Sequence, residues 1–386
     1  MHSFKAVVIA LTMAGATWAA ETEILPLSGS GPDDAVPWEF SVTAGRRAGE
    51  KATIPVPSQW EQHGFGGYNY GHDKAKSAER GLYRRSFHAP AAWAGRRVRL
   101  VFEGVMTDAE VTLNGRSAGP KHQGGFYPFA FDVTDLVAYG ASNTVEVAVD
   151  KVSANPRVED AERIADFWVF GGIFRPVRIE VLPDSFVDHV AIRAEADGAF
   201  EAHVRLQRAA PDDRIAVRIL DATGAAAGAA DAAVTRGATG PVVVAARVAA
   251  PKTWTAETPH LYTAEVELRR AGHAVHRVRE RFGFRTFEVR PGTGLFLNGH
   301  RVMLKGTCRH SFRPATGRCL SRADNIEDVR LMKSMNMNAV RCSHYPPDRA
   351  FLEACDELGL YVLDELAGWQ KEPYDTATGE RLVREM

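Results

Sequence analysis

Hydrophobic and polar positions alternate with a period of two over much of the chain from residue 38 to residue 184, as in strands with one buried face. The alternation is plain at 98–102, 145–149 and 177–181. Asn114 and Gly115 form a hairpin turn signal between two such runs. Because no helical period separates these strands, residues 21–185 are predicted to form a β-sandwich of the jelly-roll kind.

The next part of the chain, residues 186–287, contains more alanine but keeps the same period. Alternating runs occur at 190–192, 204–206, 215–219 and 264–268, with turn residues between them. Several short strands in about a hundred residues are typical of an immunoglobulin-like sandwich. We therefore predict a second β-sandwich over this region.

The period changes after Pro291, where predicted strands and helices begin to alternate. Strands are predicted at 301–305, 339–341 and 360–363 and helices after Ser321 and at 347–358. Ser321 and Asp324 match a capping box, and Gly359 ends the second helix. Such alternation builds a parallel sheet, and a (β/α)₈ barrel needs about 250 residues. Residues 288–386 are thus predicted to be the first part of a TIM barrel, in a multidomain and mainly β protein.

The first twenty residues have the features of a secretory signal peptide. His2 and Lys5 precede an apolar run at 6–13, and small residues follow up to Ala19 and Ala20. Cleavage after either alanine would give a mature start near Glu21, and we expect the protein to be periplasmic or secreted. The alternative is a frayed N-terminal helix.

Composition excludes several classes of protein. Of 386 residues 45% are hydrophobic and 25% charged, which excludes a disordered chain. The 47 basic and 48 acidic residues create no field that would attract nucleic acid, and no other stretch is apolar enough to span a membrane. The four cysteines, which lack CxxC spacing, are predicted to be buried free thiols.

Polar side chains follow each of the three predicted barrel strands. Carboxyl ends of parallel strands lie at one face of a barrel, where they form a pocket suited to a hydroxylated ligand. The residues concerned are Arg309 and His310, Arg341 and His344, and Asp364 and Glu365.

Together these segments resemble glycoside hydrolase family 2, which includes β-galactosidases, β-glucuronidases and β-mannosidases. The resemblance covers almost all of the chain after the predicted signal peptide, in the family's order of jelly roll, immunoglobulin-like domain and barrel. The matching runs are Gly171-Gly172-Ile173-Phe174-Arg175, Phe296-Leu297-Asn298-Gly299, Asn338-Ala339-Val340-Arg341-Cys342-Ser343-His344-Tyr345-Pro346 and Tyr361-Val362-Leu363-Asp364-Glu365.

The resemblance implies an exported, β-galactosidase-like enzyme that hydrolyses terminal β-glycosidic bonds of oligosaccharides or other glycosides with retention. It implies that the sugar subsite is lined by residues from both the barrel and the jelly roll. For Trp60, Trp168 and the glycine pair 171–172 the favoured interpretation is packing inside the sandwich. The implied substrate-binding residues are Arg341, His344, Arg309, His310, Asp166, Asn69 and Tyr70, with Asp364 and Glu365 as a supporting pair. Trp369 is a candidate to stack on a sugar face, with packing at the barrel rim as the alternative.

In this family both catalytic carboxylates are glutamates on later barrel strands, so we expect them after Met386 and expect no turnover from these residues alone. Residues 366–370 lack the Glu and His of the magnesium site in metal-dependent relatives, and no metal or cofactor is assigned. Two alternatives stay open: a truncated, inactive carbohydrate-binding protein, and a β-sandwich scaffold. The sequence also leaves the oligomeric state open, a homo-oligomer included.

Overall fold

The computed structural model describes residues 21–235, 240–368 and 376–385. The predicted signal peptide and Trp369 lie outside the described residues. Within the described part, no helix is both long and apolar enough to cross a membrane.

The first domain is a β-sandwich with a short helix, α1 (Pro156–Glu162). One sheet has the strand order β1-β15-β6-β11, and the larger sheet has the order β10-β8-β12-β5-β2-β3 with β9 paired to β8. Two short pairs, β4 with β13 and β7 with β14, lie outside these sheets. The strands are β1 (Glu23–Pro26), β2 (Val36–Val42), β3 (Ala52–Val56), β4 (Asn69–Tyr70), β5 (Arg80–Ala89), β6 (Arg97–Phe102), β7 (Val105–Met106), β8 (Asp108–Leu113), β9 (Arg116–Ser117), β10 (His122–Gln123), β11 (Phe129–Asp132), β12 (Ala141–Asp150), β13 (Trp168–Val169), β14 (Gly172–Ile173) and β15 (Val177–Leu182).

The alternation in the sequence decides which side chains enter the core of this sandwich. The alternate apolar residues of β6, β12 and β15 are at most 1% exposed: Val98, Leu100, Phe102, Val145, Val147, Val149, Val177, Ile179 and Val181. Asn114 and Gly115 adopt positive φ angles of 54° and 74° between β8 and β9, as a two-residue hairpin turn requires. The predictions for these strands and this turn are confirmed.

The second domain packs two antiparallel sheets around a core that includes Phe200, Val217 and Val266. Their strand orders are β16-β17-β20 and β19-β18-β21-β22. The strands are β16 (Phe186–Ala194), β17 (Ala199–Gln207), β18 (Arg214–Leu220), β19 (Ala226–Ala233), β20 (Val242–Arg247), β21 (Tyr262–Arg270) and β22 (His273–Phe282). The arrangement is the predicted immunoglobulin-like sandwich.

The third region begins with an antiparallel sheet and continues as a parallel one. The antiparallel sheet contains β23 (Phe287–Arg290), β24 (Gly294–Leu297) and β25 (His300–Val302). The parallel sheet contains β26 (Gly306–Arg309), β27 (Ala339–Cys342) and β28 (Tyr361–Leu363). The helices of this region are α2 (Arg322–Ser334), α3 (Arg349–Leu358) and α4 (Ala377–Glu385). This is the start of a TIM barrel, and the fold class is as predicted.

The predicted strand at 301–305 is wrong in its position. Asn298 and Gly299 have φ angles of 50° and 81° and turn the chain back, so Arg301 pairs with Phe296 in an antiparallel hairpin. The first parallel strand starts only at Gly306. A Cβ on that glycine would lie 2.0 Å from the carbonyl oxygen of Ala339, so β26 and β27 approach closely at this point.

Apolar residues of α2 and α3 cover one face of the parallel sheet. Val329 and Phe351 are fully buried there and Met332 is 6% exposed, while the Ser321 capping box and the Gly359 C-cap are present as predicted. Cys342 and Cys355 lie in this cluster as buried free thiols, and Cys319 is also a buried free thiol. Cys308 is exposed, which corrects its prediction as a buried residue.

Candidate functional site

A cluster of polar side chains lies at the carboxyl ends of β27 and β28. Arg341 Nε donates a hydrogen bond to Glu365 Oε1, and Arg341 Nη2 donates to His344 Nδ1 at 3.1 Å. Glu365 Oε2 lies 3.4 Å from the same histidine nitrogen. The parallel pairing of Arg341 with Leu363 in the sheet explains why residues 24 positions apart meet here.

Burial lowers the pKa of both histidines of this cluster. Burial and the positive charge of Arg341 lower the pKa of His344, while the carboxylates of Glu365 and Asp166 oppose that effect. Burial, with the positive charge of Arg318 as the next cause, lowers the pKa of His310 to about 4. The rings of His310 and His344 meet edge to face with their centroids 5.2 Å apart. The site therefore combines the guanidinium of Arg341, two carboxylates and two imidazoles with lowered pKa values.

Cys308 lies beside this cluster on the neighbouring strand β26. Arg341 Nη1 donates to Cys308 Sγ over 3.6 Å, and this hydrogen bond lowers the pKa of the thiol. Sequence reasoning treated Cys308 only as a core residue. Its register opposite Arg341 in β27 was the signal that could have placed it here.

The first domain contributes residues to the same region. Asp166 Oδ1 lies 2.9 Å from His72 Nε2, and its charge acts on the pKa of His344. Pairing of β13 with β4 sets Trp168 opposite Tyr70 and Val169 opposite Asn69, which brings both predicted residues next to the Asp166 loop. The buried Oδ1 of Asn69 has no hydrogen-bond partner among the described residues.

Arg309 does not join the cluster, although it was predicted to lie near the sugar. Its Nε donates to Asp328 at 2.7 Å and its Nη2 to Asn325 at 2.8 Å, both on α2. Its guanidinium carbon lies 4.0 Å from the ring centroid of Phe351 on α3. Because side chains alternate along a strand, Arg309 points to the helices while Cys308 points to Arg341.

Asp364 lies at the same strand end but stays exposed, and its Oδ1 accepts a hydrogen bond from the Glu365 backbone N–H at 2.9 Å. It thus fixes the backbone that carries Glu365.

Within residues 21–235, 240–368 and 376–385 no three His, Cys, Asp or Glu side chains are grouped as a metal ion would require.

An aromatic layer joins the first domain to the barrel strands directly behind the cluster. Phe126 stacks on Tyr345 with centroids 4.3 Å apart, and Phe167 meets the same ring edge-on at 6.0 Å. The guanidinium of Arg318 lies 4.4 Å from the Tyr345 centroid and 4.5 Å from that of Phe167. Tyr345 Oη is also 3.2 Å from His310 Nδ1. Sequence reasoning missed Phe126 and Arg318, because only the docking of two domains brings them here.

Three family profiles match the chain in succession. They are the sugar binding domain of glycosyl hydrolases family 2 over residues 44–183, the domain named glycosyl hydrolases family 2 over 185–285, and the family's TIM barrel domain over 287–372. The chain belongs to glycosyl hydrolase family 2. The predicted family is thereby confirmed.

Relatives with assigned names support this family membership. A β-galactosidase from Halalkalibacterium halodurans is 35% identical over 303 residues, covering 75% of this chain and 29% of the relative. A putative β-glucuronidase from Formosa agariphila is 31% identical over 340 residues, covering 86% of this chain and 40% of the relative. The chain thus spans less than half the length of these relatives.

Solved structures give the same result for the fold. The β-glucuronidase from Bifidobacterium dentium, solved in complex with coumarin-3-O-glucuronide, superposes with a TM-score of 0.77 at 26% identity. The superposition covers 94% of this chain and 64% of that structure.

Proposed function

We propose that this chain forms the sugar-binding part of a glycosidase that hydrolyses terminal β-glycosidic bonds with retention, and that the preferred sugar is β-galactose. The observation that carries the proposal is the Arg341, His344 and Glu365 cluster, with the Asp166 charge acting on His344 from another domain. Charged and neutral hydrogen-bonding groups converging at barrel strand ends suit a ligand with several hydroxyl groups.

The charges in the site favour a galactoside over a glucuronide. Two carboxylates, Glu365 and Asp166, lie around His344, and one guanidinium, Arg341, is already paired with Glu365. A uronic acid would bring a third carboxylate, whereas galactose is neutral and its hydroxyl groups can donate to carboxylate oxygens.

The described residues are assigned to binding and orientation of the sugar. Glu365 is not proposed as nucleophile or acid, because its Oε1 accepts from Arg341 and its Oε2 faces the His344 ring. Hydrogen bonds to sugar hydroxyls strengthen as the ring approaches an oxocarbenium-like transition state, so such groups accelerate the reaction without bonding to carbon.

Calorimetric titration of the chain with methyl β-galactoside and with methyl β-glucuronide tests the proposal. We expect the galactoside to bind more tightly, and Arg341→Ala to weaken its binding about ten- to a hundredfold through loss of charge-assisted hydrogen bonds. The exposed Arg330→Ala on α2 is the matched control. Tighter binding of the glucuronide, or equal effects of the two variants, would contradict the assignment.

Retention and export are parts of the same proposal with their own tests. The first sugar released by the whole protein should keep the β configuration, which NMR observes before mutarotation.

Mass spectrometry of protein from the periplasm or medium should find a start at Ala20 or Glu21. A mature chain that retains His2 would contradict the predicted signal peptide.

A further inference from the structure

Three aromatic side chains of the first domain stand at the surface next to the site, and we call Tyr68, Tyr70 and Trp168 the aromatic wall. Trp168 is 49% exposed and Tyr68 is 47% exposed. The neighbours of Trp168 in the chain, Val169 and Phe170, are only 8% and 2% exposed. The prediction that Trp168 packs inside the sandwich is therefore wrong.

Contacts within the wall fix the orientation of the indole. Tyr70 and Trp168 are opposite each other in the β4–β13 pair, and their ring centroids are 5.6 Å apart with planes at 76°. Tyr68 meets the same indole from 6.3 Å at 79°. A held aromatic side chain loses little conformational entropy when a ligand stacks on it.

The wall is continuous with the candidate sugar site. His72 connects the two, because its ring lies 6.0 Å from that of Tyr70 and its Nε2 lies 2.9 Å from Asp166 Oδ1. The loop is also tied to the barrel end: Gly71 N donates to the Phe167 carbonyl at 2.9 Å, and Phe167 packs on Tyr345. A ligand that extends beyond the sugar bound near His344 can therefore reach Trp168.

The chemistry of the wall suits a sugar or aryl ring. Aromatic faces attract the C–H groups of a pyranose or stack on another aromatic ring. No described residue accepts a hydrogen bond from the Trp168 indole N–H, which leaves it for a ligand hydroxyl.

We infer that the aromatic wall is a subsite for the leaving-group part of a β-glycoside, with Trp168 as its stacking platform. This inference rests on the proposed function. A protein partner fits the wall less well: three partly exposed rings offer on the order of 300 Å², against about 800 Å² per partner in a stable interface.

Titration of the full chain with methyl β-galactoside and phenyl β-galactoside tests the inference. Wild type should bind the phenyl compound about tenfold more tightly, as expected for one aromatic stacking contact. Trp168→Ala should reduce that ratio to about one and leave the affinity for the methyl compound unchanged. Leu331→Ala, which removes a 58% exposed apolar side chain on α2, outside the wall, should leave both affinities unchanged.

The outcomes separate this inference from the proposed function. Intact binding of methyl β-galactoside with an unchanged phenyl-to-methyl ratio in Trp168→Ala overturns the subsite and leaves the proposed function standing. An equal loss of affinity for both compounds shows that Trp168 only shapes the sugar site, and it also overturns the subsite. If wild type binds neither compound, both proposals fail. Thermal unfolding of each variant confirms that it is folded.

Discussion

Phe126 of the first domain stacks on Tyr345 of the barrel region with ring centroids 4.3 Å apart and planes within 12° of parallel. Tyr345 directly follows His344, and its Oη is 3.2 Å from His310 Nδ1. One contact thus links the position of the first domain to both histidines of the candidate site. The distance between Asp166 and His344 depends on this docking.

Phe126→Ala should lower both stability and ligand affinity. Phe126 is 2% exposed, so truncation leaves a cavity and costs about 3–5 kcal/mol in the free energy of unfolding. Because the cavity loosens the domain that carries Asp166, binding of methyl β-galactoside should weaken as well. Phe87→Ala is the control, since it opens a cavity in the core of the same sandwich without touching the cluster that contains Phe126 and Tyr345. Urea denaturation and calorimetry measure the two effects; unchanged affinity in a destabilised Phe126→Ala would show that docking does not set the site.

Arg309 and Arg341 give a matched pair on neighbouring strands. Arg309→Ala removes two hydrogen bonds, to Asp328 at 2.7 Å and to Asn325 at 2.8 Å, and should cost about 1–3 kcal/mol of stability, because Asp328 keeps its ion pair with Arg313. Arg341→Ala should cost less than about 1 kcal/mol, since Arg341 is only partly buried, yet it should lose ligand binding. Urea denaturation curves of both variants decide this. Equal losses of stability would refute the separation of their roles.

Gly171 should tolerate no side chain. A Cβ at this position would lie 2.0 Å from Cζ2 of Trp60. Trp60 is fully buried, so the prediction that Trp60 packs inside the sandwich is confirmed. Gly171→Ala should lower the free energy of unfolding by about 3 kcal/mol through overpacking. Gly240→Ala is the control, because no atom of the described residues lies within 4 Å of a Cβ there. A melting temperature for Gly171→Ala equal to that of the control would contradict the packing.

Stability should fall in mild acid through His276. This residue is fully buried, accepts from Val187 N through Nδ1 at 3.0 Å, and has a pKa lowered by burial to about 4. An unfolded histidine titrates near 6.5, so the unfolded state binds more protons between about pH 4 and 6.5. The stabilising contribution is therefore complete above about pH 6.5 and is lost as the pH falls toward 4, amounting to at most about 3 kcal/mol.

Melting temperatures measured from pH 7.5 to 4.5 check this pH dependence. His276→Gln should flatten the curve relative to wild type, whereas the exposed His273→Gln on the same strand should not. If both variants kept the wild-type slope, another group would be responsible.

The sequence by itself determined the local structure and the order of the domains. Alternate apolar residues of β6, β12 and β15 are buried because a strand turns successive side chains to opposite faces. The capping box of α2 and the glycine that ends α3 were equally readable, since each depends on hydrogen bonds between residues close in the chain. The family followed from long motif runs and is supported by the three profile matches.

Only the tertiary structure decided which polar residues share a site. Arg309 and Arg341 look alike in sequence, but one residue of strand register sends Arg309 toward the helices and Arg341 toward Glu365. The exposure of Trp168 likewise follows from how β13 pairs with β4. The charge of Asp166 acts on the pKa of His344 across 178 positions because the first domain docks on the barrel region through Phe126 and Tyr345. Periodicity indicates which face of its own element a residue occupies, whereas a contact between domains depends on surfaces built from residues far apart in the chain.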